Sequence, residues 1–149
     1  MTNRETIEFF RDNDNYLIIN HRRPDGDAVG SAAALCRHLR QMGKTAAVWK
    51  NPETTERYQP FLEGLETEHI PAGAVLVSVD LATENLLPLN GLDFAGKIVL
   101  SIDHHMSNDG YAAEIRMLRA LAEGDGKTAE KSKENAELTP KKTAETKPE

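Results

Sequence analysis

Apolar residues follow two spacings along this chain, and the spacing switches repeatedly. Ile7, Phe9 and Phe10 belong to an opening helix over residues 6–11, which runs out in the polar turn Asp12-Asn13-Asp14-Asn15. Residues 16–20, Tyr-Leu-Ile-Ile-Asn, are short and β-rich, as a buried strand should be. Over residues 27–42, Val29, Ala32, Ala33, Cys36 and Leu39 recur at three- and four-residue spacings, and Gly43 supplies a stop, which predicts a helix. Residues 45–49 predict a second strand, and 51–65, with Pro52, Pro60 and Gly64, leaves room for one short helix. Further strands are predicted over 75–79 and 98–102, separated by a segment punctuated by Pro88, Gly91 and Gly96, and 112–121 has helical composition. Helices alternating with apolar strands favour an α/β fold, a doubly wound and mostly parallel sheet with helices on both faces. There is no internal repeat.

Composition changes abruptly at Gly124. Residues 124–149 carry six acids, six lysines, no aromatic and a single leucine, Leu138. Such a stretch cannot bury enough apolar surface to offset an ordering entropy of roughly 1–2 kcal/mol per residue, so it reads as a disordered tail behind a domain over 1–123. The tail is neutral, so the formal charge of -6 falls entirely on the domain. An acidic domain in a chain with eight aromatic residues lacks the basic, stacking surface that general nucleic-acid binding needs. No apolar run reaches the ~18–20 residues that span a bilayer, and the first residues do not resemble a secretory leader. Cys36 is the sole cysteine, which excludes an internal disulfide and a Cys-built zinc site and makes a reducing cytoplasm the expected setting.

Three predicted strands end directly in acids or histidines. Residues 16–20 run into His21-Arg22-Arg23-Pro24-Asp25-Gly26-Asp27, 75–79 into Asp80, and 98–102 into Asp103-His104-His105. Parallel sheets bind ligands outside the carboxyl ends of their strands, so four carboxylates and three imidazoles are expected in one crevice. Like charges at such spacing need protonation or a cation, and a divalent cation neutralises them best. The set exceeds what one tetrahedral ion uses and suits two ions roughly 3.5–4 Å apart, the arrangement used for phosphoryl transfer. Mixed carboxylate and imidazole ligation favours Mn²⁺, with Co²⁺ and Fe²⁺ as alternatives, over all-oxygen Mg²⁺ or thiolate-bound Zn²⁺. Singly, the pieces have plainer readings: Asp25-Gly26 with Asp27 makes a turn and helix cap equally well, and Asp80 alone suits a cap. Adjacent histidines after an apolar strand have no packing purpose, and three of the chain's five histidines fall in these clusters.

The run His21-Arg22-Arg23-Pro24-Asp25-Gly26-Asp27-Ala28-Val29-Gly30-Ser31, followed by Val77-Ser78-Val79-Asp80 and Ile102-Asp103-His104-His105, closely resembles the first three motifs of the DHH phosphoesterases, in order, over residues 1–113. Within that family the Pro-Asp-Gly-Asp-x-x-Gly-Ser run looks most like the bacterial branch that combines oligoribonuclease with adenosine 3',5'-bisphosphate (pAp) phosphatase activity. The resemblance implies that His21, Asp25 and Asp80 hold one Mn²⁺ and that Asp27, Asp80 and His104 hold the other. It further implies that Asp103 orients the pair and that His105 contacts the substrate phosphate. Arg22 and Arg23 are weaker candidates for phosphate contacts, since a solvated loop accounts for them equally well. The implied substrate is a small nucleotide or a short oligoribonucleotide.

The family pattern also expects a fourth aspartate motif roughly fifty residues after the histidine pair, then a smaller domain with a Gly-rich substrate loop. The last aspartate of this chain, Asp125, lies in the low-complexity segment without family-like surroundings. The chain therefore reads as a truncated or frame-altered member with an incomplete second metal site. Missing cover over the sheet predicts marginal stability or homo-oligomerisation. Two functions stay open: an Mn²⁺-dependent phosphoesterase, and a catalytically inactive metal- or nucleotide-binding remnant of one.

Overall fold

In the computed structural model, which describes residues 1–117, the first helix, α1 (Asn3–Asp12), starts on a reciprocal cap. Thr2 Oγ1 accepts from the Glu5 amide at 3.2 Å while Glu5 Oε2 accepts from the Thr2 amide at 2.6 Å, satisfying two amides that no helical carbonyl reaches. Strand β1 (Tyr16–Ile19) is buried at all four positions. Helix α2 (Gly26–Gln41) is capped by Asp25 and buries Ala28, Val29, Ala32, Ala33, Cys36 and Leu39, the stripe that the periodicity marks out. Its small residues let the helix lie close on the sheet. It is followed by Gly43, whose φ of 80° suits a residue without Cβ.

The remaining strands are β2 (Ala46–Trp49), β3 (Glu66–Thr67), β4 (Val75–Val79), β5 (Leu100–Asp103) and β6 (Glu114–Met117), in the spatial order β3-β2-β1-β4-β5-β6. Every pairing is parallel. Side chains alternate between two cores. Tyr16, Ile18, Val48, Val77 and Val79 meet α1 and α2 on one face, whereas Leu17, Ile19, Leu76 and Trp49 pack with Leu81, Leu87 and Phe94 on the other. That second face is covered by 3-10 helices (Glu84–Leu86 and Leu89–Phe94), so helices lie on both faces but are of different kinds. From β1 the chain crosses by α2 to β2, and beyond β4 it moves the opposite way to β5. The reversal between β1 and β4 opens a crevice at their carboxyl ends, the position where such sheets take ligands.

One expectation fails. Residues 114–117, inside the segment of helical composition, form strand β6, paired with β5 from Leu100↔Glu114 to Asp103↔Met117. The open edge of β5 offers a ladder of backbone partners, and Ile115 packs onto the second core, which together outweigh local helix preference. The short helix expected within 51–65 is the 3-10 turn Gln59–Leu62. The tail expected over 124–149 lies outside the described residues. Among the described residues no helix is long and apolar enough to cross a membrane.

Candidate metal centre

β1, β4 and β5 are neighbours, so the three chemistry-bearing strand ends arrive side by side. His21 leaves β1 under the control of Asn51, whose amide donates to the His21 carbonyl at 3.0 Å and to Asn20 Oδ1 at 3.3 Å. His21 Nδ1 lies 2.7 Å from the Arg22 carbonyl, which can only accept. Nδ1 therefore carries a proton, and in the neutral ring Nε2 is the nitrogen left with a lone pair for a ligand. Nε2 faces two carboxylate oxygens, Asp25 Oδ1 at 3.8 Å and Asp80 Oδ2 at 3.6 Å. Asp25 caps α2, and the Ala28 amide that it accepts from, at 3.0 Å, holds its carboxyl below the usual range.

Asp80 is the shared member. It follows β4 with φ of 54°, a left-handed conformation that costs a non-glycine residue on the order of 1–3 kcal/mol and persists only where its surroundings enforce it. Its side chain is 6% exposed. Oδ1 stands 3.1 Å from His104 Nε2 and 3.6 Å from His105 Nδ1, yet it is buried without a hydrogen-bond partner. Burial first, and then the negative charge of Asp27, push its carboxyl above the ordinary value. Asp27, in the first turn of α2, accepts from Ser31 Oγ at 3.3 Å and places Oδ2 3.2 Å from His104 Nε2.

Asp103 is committed differently. It is 1% exposed, and Oδ1 accepts from the His104 amide (2.8 Å), the His105 amide (3.2 Å) and His105 Nδ1 (2.6 Å), while Oδ2 accepts from Asn108 Nδ2 at 2.8 Å. Burial alone would raise its carboxyl, but these four bonds outweigh it and the net shift is downward. The same bond to Asp103 is the main reason that the His105 imidazole is raised, against a smaller opposing effect of burial.

The donor set fits a divalent cation. Nitrogen and oxygen ligands about 2.0–2.2 Å from one ion, at angles of 90–120°, stand roughly 3.0–3.7 Å apart. The His21–Asp80 and His104–Asp80 separations of 3.6 and 3.1 Å, and the His104–Asp27 separation of 3.2 Å, match that range. Two groups of donor atoms, each within 4.8 Å of one another, emerge: His21, Asp25 and Asp80, and Asp80, Asp103, His104 and His105. In the second group Asp103 is already occupied by hydrogen bonds, so it acts as an anchor. A cation beside Asp80 Oδ1 would answer the orphaned acceptor, and one beside Oδ2 would answer the crowding of His21 Nε2 against Asp25 and Asp80.

Arg22 Nε donates to the Leu87 carbonyl at 3.2 Å and Nη2 to that of Asn85 at 3.5 Å, while Arg23 is exposed, with φ of 49°. A cleft of about 230 Å³ opens beside Asp27, Asp80 and His104, with Ser31 on its wall and Leu35, Val79 and Ile102 lining its apolar part. Sequence reading missed Asn51, Asn108 and Tyr111. Each acts through a contact distant in sequence or from within a turn, and Tyr111 reaches Ser78 across 33 residues. Ser31 carried a usable signal, four residues beyond Asp27 on one helix face.

Residues 15–144 match the DHH family, N-terminal domain. The chain is also similar to "Bifunctional oligoribonuclease and PAP phosphatase NrnA" of Thermus thermophilus, at 36% identity over 96 residues, which cover 61% of this chain and 28% of that protein. It thus spans less than a third of the curated relative that it matches.

Proposed function

Because the chain belongs to the DHH family, we propose that it is a metal-dependent phosphoesterase of small nucleotides, with pAp and short oligoribonucleotides as substrates and Mn²⁺ as the ion. The observation that carries the reading is the buried, partnerless Oδ1 of Asp80, standing where the two groups of imidazole and carboxylate donors meet. His21, Asp25 and Asp80 would hold one ion and Asp27, Asp80 and His104 the other. When bound, two such ions supply charge neutralisation at the phosphate and a water acidified enough to attack near neutral pH.

The chain's own residues do the rest. Asp80 stands between the two halves from a buried position, with Oδ2 toward His21 and Oδ1 toward His104. Asp103 fixes the His105 ring through Nδ1, which leaves Nε2 for a phosphate oxygen. With its pKa raised by that bond, His105 holds a proton at Nε2 to higher pH than a free imidazole, and this favours donation to a phosphoryl oxygen. The exposed N-terminus of α2 adds backbone N–H groups and a favourable dipole for the same anion.

A binding-only reading draws on one observation. Asp27 and His104 are 56% and 47% exposed, so their half of the centre is open, and the adjoining cleft is walled largely by Leu35, Val79 and Ile102. Phosphate release from pAp in the presence of Mn²⁺ decides between the two. The phosphoesterase reading expects turnover that Asp80→Ala and His104→Ala abolish. Tight Mn²⁺ binding without turnover would establish the binding-only reading, and absence of Mn²⁺ binding would overturn both.

A further inference from the structure

Behind the metal centre, on the opposite face of β4 and β5, lies a buried polar knot that the proposed chemistry does not use. Ser78 and Ser101 are directly paired across β4 and β5, and both are fully buried. Tyr111 Oη lies 2.6 Å from Ser78 Oγ, 3.0 Å from Ser101 Oγ and 2.6 Å from the Leu81 carbonyl. A phenol has one proton to give, and a carbonyl can only accept, so that proton goes to Leu81 and both serines donate to the phenol oxygen. The hydroxyl's donor and both its acceptor sites are then filled.

The consequence falls on Asp80. Its left-handed turn is gripped at three successive residues: the Asp80 amide donates to the Ile102 carbonyl at 3.0 Å, Tyr111 donates to the Leu81 carbonyl, and the Asp109 amide donates to the Ala82 carbonyl at 3.2 Å. Two of the three clamps come from residues 109–111, the loop that follows His104 and His105. We propose that Tyr111 is a positioning residue for Asp80, its hydroxyl holding the backbone turn that aims the shared carboxylate at the imidazoles. Its relevance to function rests on the metal-centre reading, while its effect on the Asp80 turn does not.

Two measurements on Tyr111→Phe and Ser101→Ala test this. Ser101→Ala removes a bond to the phenol but leaves the Leu81 clamp, so it controls for loss of buried polar contacts. By hydrogen exchange without metal, Tyr111→Phe should speed exchange of the Asp80 amide about tenfold relative to the β4 amides, and Ser101→Ala should not. By calorimetry, Tyr111→Phe should weaken Mn²⁺ binding about tenfold, as loss of an outer partner does, with Ser101→Ala within about twofold of wild type. Equal effects of the two variants in exchange, or no selective change at Asp80, would overturn the assignment. So would wild-type Mn²⁺ affinity in Tyr111→Phe. A wild type that binds no Mn²⁺ would overturn the metal-centre reading instead, and the exchange result would still decide the role of Tyr111.

Discussion

Replacing Asp103 by asparagine deletes one charge and almost no volume. The carboxylate accepts three bonds at Oδ1 and one at Oδ2, whereas an amide keeps a single acceptor oxygen. With that oxygen facing the two histidines, the new NH₂ confronts the Asn108 NH₂. Asn108 cannot turn its amide over without losing the bond that its Oδ1 accepts from the Gly110 amide at 3.0 Å. One charge-assisted bond is lost and a buried donor is stranded, which together cost about 3 kcal/mol. For a domain of this size that corresponds to roughly 12 °C in Tm. The pH dependence makes the test sharper. Asp103 has a lowered carboxyl pKa, so its stabilisation is present above the ordinary value of 3.8 and is lost as pH falls through the lowered one. His105 is raised by the same bond, so its share is complete below 6.5 and is lost as pH rises through the raised value. Thermal unfolding of chelator-treated wild type and Asp103→Asn should therefore show the widest gap between about pH 4 and 6.5, narrowing on both sides. A gap that is absent at pH 5.5, or constant from pH 3 to 9, would refute the reasoning.

Two other outcomes follow from the same geometry. Because burial and Asp27 raise the Asp80 carboxyl, Mn²⁺ competes with a proton there. Calorimetric affinity should be lost as pH falls through that raised value, by up to about tenfold per pH unit, and flat affinity from pH 4 to 7 would contradict the role of Asp80. Leu39 is fully buried in the core under α2, twelve residues along the helix from Asp27, a distance of about 18 Å. Leu39→Ala should cost about 3 kcal/mol in denaturant unfolding while leaving Mn²⁺ affinity within about twofold, and a large loss of affinity would show the centre to be coupled to the distant core.

The parts of the fold that burial dictates were legible. Val29, Ala32, Ala33, Cys36 and Leu39 repeat at helical spacing because one face of α2 lies on the sheet, and the apolar runs at 16–19 and 75–79 mark strands covered on both faces. The seven charged or imidazole positions were legible for a related reason: they stand at strand ends, where a parallel sheet turns chemistry outward. What sequence could not show was decided by partners far away. Strand β6 exists because β5 offers an edge, and the two-residue β3, Glu-Thr and only half-buried, carries no apolar pattern. Asn108 and Tyr111 look like ordinary loop residues until Asp103, Ser78 and Leu81 come within hydrogen-bond reach. The contacts of Arg22 Nε and Nη2 with the carbonyls of Leu87 and Asn85 were likewise not legible, since those partners lie more than sixty residues away.

The central claim is that Asp80 joins two imidazole–carboxylate groups into one cation site, and Mn²⁺ titration followed by electron paramagnetic resonance reaches it most directly. Wild type should remove free Mn²⁺ from solution, and Asp80→Asn should lose most of that binding together with any spin-coupled signal from ions about 4 Å apart. Undiminished Mn²⁺ uptake by Asp80→Asn, or no uptake by wild type, would contradict the account.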